Sequence, residues 1–235
     1  MKKIIEKISI LGDSISKGVI LDEISRKYKI LKESAADLFS RENNVVVKNH
    51  AKFGCTSEKA LEITKKILES ETDSGIIMLE LGGNDCDYNW DAVAMNPDSD
   101  HKPNVTLENF KQNISKIIEI VKASGRDLAF MTLPPIDSEK YFNWITRGDK
   151  IRIENIQRFL GERNYIYRHQ ELYAGALEEI ATKNNIYKIP VRAGFLSIPR
   201  CGDYICDDGI HLNEIGQGVM KTIFNDTYNQ YLAMK

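Results

Sequence analysis

With 235 residues and 42% hydrophobic content, the chain can bury a sizeable core within one α/β unit. Its 32 basic and 34 acidic residues leave a net charge of -2 without basic stripe, acidic tail or like-charge run, which sets aside nucleic acid and anionic membranes as main partners. No segment reaches the ~20 apolar residues that span a bilayer. Residues 1–7 lack the apolar stretch of a signal peptide, so a cytoplasmic location is expected.

The first apolar run, 7–11 (KISIL), reads as a buried strand, and Gly12-Asp13-Ser14 follows it directly. A serine where a strand ends and the chain turns has the rigid, exposed mount a nucleophile needs. The same tripeptide is also ordinary turn chemistry. Residues 15–32 fit either a helix or an extended excursion, and a helix is expected around 33–41. A second strand, 45–49 (VVVKN), leads through 49–56 into a helix at 57–69, with Gly54 just ahead of it. The third strand, 75–81 (GIIMLEL), is followed by Gly82-Gly83-Asn84-Asp85.

Helix 106–123 carries an apolar stripe of Ile114, Ile117, Ile118 and Val121, with Thr106 as its cap and Gly125 as its stop. Then come strand 128–133 (LAFMTL), helices 150–160 and 168–184, strand 186–190 (IYKIP) and helix 213–232. The third and fourth strands are apolar on both faces, as strands covered by helices on each side must be. The alternation predicts a parallel sheet with crossover helices, in a single domain over 1–235.

Two connections, about 84–105 and 134–149, are long for compact α/β loops and leave the carboxyl edge of the sheet, where such folds place their sites. They hold both tryptophans, Trp90 and Trp144, with Tyr88, Tyr141 and Phe142. These aromatics either pack the loops onto the sheet or line a substrate pocket, where their faces suit acyl chains or sugar rings. Cys55, Cys86, Cys201 and Cys206 read as free thiols, and the five-residue gap between the last two is not a zinc spacing. No metal or cofactor is expected.

Acyl-transfer chemistry explains the remaining polar residues. A serine hydroxyl needs a base, which histidine supplies near neutral pH. That histidine needs a carboxylate on its other nitrogen. Asp208 and His211, three apart in Asp207-Asp208-Gly209-Ile210-His211 ahead of the last helix, can meet within one turn of chain. An oxyanion needs donors, for which the Gly54 N–H, the Asn84 amide and the Ser14 N–H are candidates. Asp13 reads as a local scaffold for the serine turn and Asp207 as a cap or solvated acid. His50, His101 and His169 read as structural or solvent-facing.

Taken together, Gly12-Asp13-Ser14, Gly54, Gly82-Gly83-Asn84-Asp85 and Asp208-Gly209-Ile210-His211 resemble the four sequence blocks of the SGNH/GDSL hydrolase family. They span residues 12–211, nearly the whole chain, with Ile15 where the family usually has leucine. The strained elbow of α/β-hydrolases is absent, because Ser16 stands in place of its second glycine. The resemblance implies a flavodoxin-like α/β/α sandwich with strand order 2-1-3-4-5, and a cofactor-free serine esterase.

The expected catalytic set is Ser14, Asp208 and His211, with Ser14, Gly54 and Asn84 around the oxyanion. Trp90, Tyr141, Phe142 and Trp144 are the candidate pocket wall. The expected substrate is a small-molecule ester, preferably an acetyl group on a carbohydrate or small metabolite. A lysophospholipase or thioesterase is the alternative within the same chemistry. A non-catalytic binding module and a flavodoxin-like mononucleotide binder are the alternatives outside it. The sequence leaves the oligomeric state open.

Overall fold

The computed structural model describes residues 5–71 and 75–234, so the first four residues of the segment 1–7 lie outside it. In chain order the strands are β1 (Lys7–Leu11), β2 (Val19–Leu21), β3 (Tyr28–Ile30), β4 (Val46–Asn49), β5 (Ile76–Leu79), β6 (Asp127–Met131) and β7 (Tyr187–Ile189). The first helices are α1 (Ala35–Asn43), α2 (Ser57–Ser70), α3 (Trp90–Met95), α4 (Leu107–Ala123) and α5 (Ser138–Thr146). They are followed by α6 (Lys150–Leu160), α7 (Tyr165–Lys183), α8 (Val191–Leu196) and α9 (Glu214–Met234).

Five strands form one parallel sheet in the order β4-β1-β5-β6-β7, which is 2-1-3-4-5 when those strands alone are numbered. Alternating side chains give each central strand two buried faces. Ile77, Leu79 and Phe130 meet Phe110, Ile114 and Tyr173 of α4 and α7 on one face. Ile10, Met78 and Met131 meet Phe39, Phe195 and Phe224 of α1, α8 and α9 on the other. The product is the expected three-layer sandwich. No helix among the described residues is long and apolar enough to cross a membrane.

Local chemistry sets the helix ends. Thr106 accepts the Asn109 N–H at 3.3 Å and opens α4, and Gly125 turns the chain beyond it with φ +75°. The helix expected at 33–41 starts later because Ser34 and Asp37 form a reciprocal capping box, and it runs on to a left-handed Asn44. The ambiguous segment 15–32 is the extended excursion: β2 and β3 pair antiparallel, Val19 opposite Ile30 and Leu21 opposite Tyr28. Strands of three residues are too short to show a period.

Neither long connection is a plain loop. The first contains α3, capped by Asn89, and the second contains α5, capped by Asp137. Helix α5 buries Tyr141, Phe142 and Ile145, a pattern hidden by the short length of the segment.

At the end of α2, buried Glu71 accepts from Ser9 Oγ of β1 at 2.7 Å and meets His50 Nε2 at 2.9 Å. Lys48, Lys7 and Arg126 lie 3.5–3.7 Å from its carboxylate. Burial pushes this carboxyl up, but the Ser9 and His50 hydrogen bonds and the Lys7 charge outweigh it and hold it at about 2. A folded-state value below the ordinary 4.5 means that its stabilisation is present above about 4.5 and is lost as pH falls towards about 2. Urea unfolding of Glu71→Gln should therefore show lower stability than wild type at pH 7. The gap should narrow as pH drops through that window, and a gap independent of pH would contradict the assignment.

Candidate active site

The turn that leaves β1 is held from three sides. Asp13 Oδ1 accepts the Ile15 N–H at 2.9 Å, and the Val19 N–H donates to the Ser14 carbonyl at 2.9 Å. Buried Gln217 of α9 donates to the Ile15 carbonyl and accepts from the Ala35 N–H, both at 3.1 Å. Gly12 is required here, since a Cβ would lie 2.8 Å from Ser16 Oγ. From this turn the Ser14 side chain meets a residue 197 positions away.

His211 Nε2 lies 2.8 Å from Ser14 Oγ, and His211 Nδ1 lies 2.7 Å from Asp208 Oδ2. With Nδ1 donating to a carboxylate, Nε2 is left to accept from the serine hydroxyl. Asp208 Oδ1 accepts the backbone N–H groups of Ile210 and His211, each at 3.0 Å. Burial raises the Asp208 carboxyl, yet the His211 hydrogen bond and charge and these two N–H donors bring it below the ordinary value. The loop is closed by the Cys206 N–H donating to the His211 carbonyl at 2.8 Å. Asp207 points elsewhere and pairs with Arg26 at 2.6 Å.

Two aromatic rings hold the imidazole, and the sequence reading missed both. Tyr28 of β3 lies 4.9 Å from the His211 ring centroid, and Phe53 stacks on it at 6.0 Å and 16°. Their signal was weak: Tyr28 sits in the unreadable segment, and Phe53 was one apolar residue in a polar turn.

On the opposite side of Ser14, Asn84 Nδ2 donates to Asp13 Oδ2 at 2.8 Å. Asn104 Nδ2 fixes the Asn84 carbonyl at 2.9 Å. Asp85 accepts the Ser57 N–H at the start of α2 at 2.9 Å, and burial lifts its carboxyl to about 6. Gly54 has φ +64°, a left-handed turn that glycine adopts without strain. Phe53, its neighbour, is among the residues that line the cavity beside Ser14.

That cavity, about 340 Å³, runs from Ser14, Asn84 and His211 between aromatic walls. Trp90, Tyr141 and Trp144 line it. Phe142 does not: it is 1% exposed and packs with Val93, Ile145 and Ile156 in the cluster beneath. A shared network joins the two long connections, because Asp87 Oδ1 accepts from Trp90 Nε1 at 2.8 Å and from the Tyr141 hydroxyl at 2.6 Å. A second, open hollow of about 750 Å³ shares Tyr88, Trp90 and Trp144 with the first and adds Asn89, Asn143 and three arginines.

His50 and His101 are tied locally, to Glu71 and to the Asn96 carbonyl. His169 joins the cavity wall among Tyr88, Tyr165 and Tyr173. Burial pushes the Cys55 thiol up to about 12 and the Cys86 thiol well above its ordinary value, so neither is a nucleophile at neutral pH. Among the described residues no group of three or more His, Cys, Asp or Glu side chains is placed to hold a metal.

Residues 10–219 match the model of the GDSL-like lipase/acylhydrolase family. The chain belongs to this family. It is therefore a carboxylic ester hydrolase. No curated protein matches it. Among solved structures, a lipase/acylhydrolase from Enterococcus faecalis is similar at 19% identity and TM-score 0.65, over 95% of this chain and 96% of that one. The psychrotrophic esterase EstA from Pseudoalteromonas sp. is similar at 18% and 0.62, over 97% and 99%. A lipolytic protein G-D-S-L family member from Veillonella parvula DSM 2008 gives 16% and 0.64, over 95% and 98%. At these identities the likeness speaks for the fold, and the family match carries the chemistry.

The loop bearing His211 depends on Gly209, whose φ is +77° and whose Cβ would lie 2.3 Å from the Tyr141 backbone nitrogen and 2.6 Å from the Asp137 carbonyl. Gly209→Ala of this GDSL-like hydrolase should lower the melting temperature and ester turnover together. A variant as stable and as active as wild type would show that α5 does not brace the loop.

Proposed function

We propose that this hydrolase cleaves short-chain acyl esters of a carbohydrate or similar small polyol through an acyl-enzyme on Ser14. His211 Nε2 takes the serine proton as Oγ attacks the ester carbonyl, and Asp208 holds the ring and balances the imidazolium. His211 then protonates the leaving alcohol and activates the water that releases the acid. The Ser14 and Gly54 N–H groups and the Asn84 amide serve the oxyanion. Asp13 takes one amide hydrogen of Asn84, which leaves the other for the substrate. The observation that carries this reading is the unbroken chain Ser14–His211–Asp208 with contacts of 2.8 and 2.7 Å at the mouth of a lined cavity.

The second hollow offers polar groups to a sugar alcohol. Its three arginines pair with two carboxylates: Arg26 with Asp207 at 2.6 Å, and Arg147 and Arg152 both with Asp91 at 3.1 and 2.7 Å. The lining thus mixes guanidinium and carboxylate groups already engaged in ion pairs, and such paired groups suit neutral hydroxyls. The inner cavity has room for a ring as well as a short acyl group. Four free cysteines suit the reducing cytoplasm.

Ser14→Ala should reduce kcat by about 10⁴-fold or more, and Asn84→Ala by about 10²–10³-fold with little change in KM. Activity on p-nitrophenyl esters should peak at two to four acyl carbons and extend to acetylated oligosaccharides. A maximum at eight carbons or longer would shift the reading to a lysophospholipase or thioesterase. Failure of an organophosphonate probe to label Ser14, with no ester turnover, would leave a binding module.

A further inference from the structure

Beneath the Asn84 side of the site lie two carboxyls that the mechanism above does not use as acids or bases. Asp13 is 2% exposed and Glu80, just past the end of β5, is 0% exposed. Adjacent strands bring them together, and both border the catalytic cavity. Glu80 Oε2 accepts the Ser16 hydroxyl at 2.9 Å and the Asp13 N–H at 3.3 Å. Glu80 Oε1 has no conventional donor.

Neither carboxyl has a Lys, Arg or His counter-charge among the described residues, and each lies within hydrogen-bonding range of the other. The titratable groups around them are the Cys55 thiol from the turn before α2 and the Cys86 thiol and Asp85 carboxyl from the turn after β5. Lys59 of α2 acts on Cys55 from outside. Burial raises both carboxyls, and Glu80 repels the charge on Asp13. Two buried like charges without a cation cannot both persist.

We infer that Asp13 and Glu80 share one proton, carried on Glu80 Oε1, and that this pair positions Asn84 and the serine turn for ester hydrolysis. The hydrogen bonds decide where the proton resides. Both Asp13 oxygens already accept N–H groups, from Ile15 at 2.9 Å and Asn84 at 2.8 Å, and Glu80 Oε2 accepts two more donors. Only Oε1 is left to bear a hydrogen and donate it to Asp13. Loss of that proton at alkaline pH sets two charges against each other directly under the Asn84 amide.

The inference rests on the roles given to Ser14 and Asn84, so its test needs one readout besides turnover. Glutamine reproduces protonated Glu80: its carbonyl oxygen accepts from Ser16 and Asp13, and its NH₂ donates to Asp13. Glu80→Ala should lower kcat for p-nitrophenyl acetate about tenfold or more with KM nearly unchanged. Glu80→Gln should restore most of that loss and move the alkaline limb of the kcat profile to higher pH. Asp13→Asn, forced to set an NH₂ against a donor, should lose about 10²-fold in kcat. Infrared difference spectra of wild type against Glu80→Gln should show a protonated-carboxyl stretch at neutral pH that the variant lacks.

An unmoved alkaline limb, or a glutamine variant no better than alanine, would overturn the positioning role. Identical infrared spectra would overturn the shared proton. The carboxyl band in a protein with no ester turnover would keep the shared proton and sink the esterase reading instead.

Discussion

Backbone hydrogen bonds between β1 and β5, with Ile8 to Leu11 in register with Ile76 to Leu79, make two distant stretches of chain leave the sheet side by side. From Leu11 the chain runs into Asp13 and Ser14, and from Leu79 into Glu80 and Asn84. Ser14 and Asn84, 70 residues apart, thus share one edge. The order of the strands reverses at this point, which opens a crevice above them. A slip of one residue in this pairing would send Glu80 to the opposite face and pull Asn84 away from Asp13.

His211 reaches that edge by a different route. It comes from the loop before α9, and no strand of the sheet aligns it with Ser14. Its position depends on a local hydrogen-bond cycle: Asp208 accepts from two backbone N–H groups and from the ring, and the Cys206 N–H closes onto the His211 carbonyl. Gln217 supplies the long-range tie by linking α9 to the serine turn and to the start of α1. The stacked rings of Tyr28 and Phe53 limit tilting of the imidazole. Rigid placement of this kind lowers the reorganisation needed when charge develops.

Much of this was legible from residue order. Parallel strands covered on both faces show as continuous apolar runs, and the stripe of Ile114, Ile117, Ile118 and Val121 marks α4 because seventeen residues give several turns to count. The short elements β2, β3, α3 and α5 escaped, since three to nine residues without a continuous apolar run cannot establish a period. Phe142 shows a related limit. It is flanked by the cavity residue Tyr141, but on a helix adjacent residues face about 100° apart, so only one of them reaches the cavity.

The sequence by itself determined the chemistry on offer: a serine after a strand, an asparagine after another, and a carboxylate three residues before a histidine. These are local facts, set by residue type and by short spacings that hold wherever the segments end up. Tertiary structure alone decided which aromatics confront the histidine, which line the cavity, and that Asp13 and Glu80 lie together without a cation. The pair Asp13 and Glu80 is 67 positions apart, and Tyr28 and His211 are 183 apart. Such relations depend on strand register and helix docking, which are properties of the packed whole and leave no periodic mark along the chain.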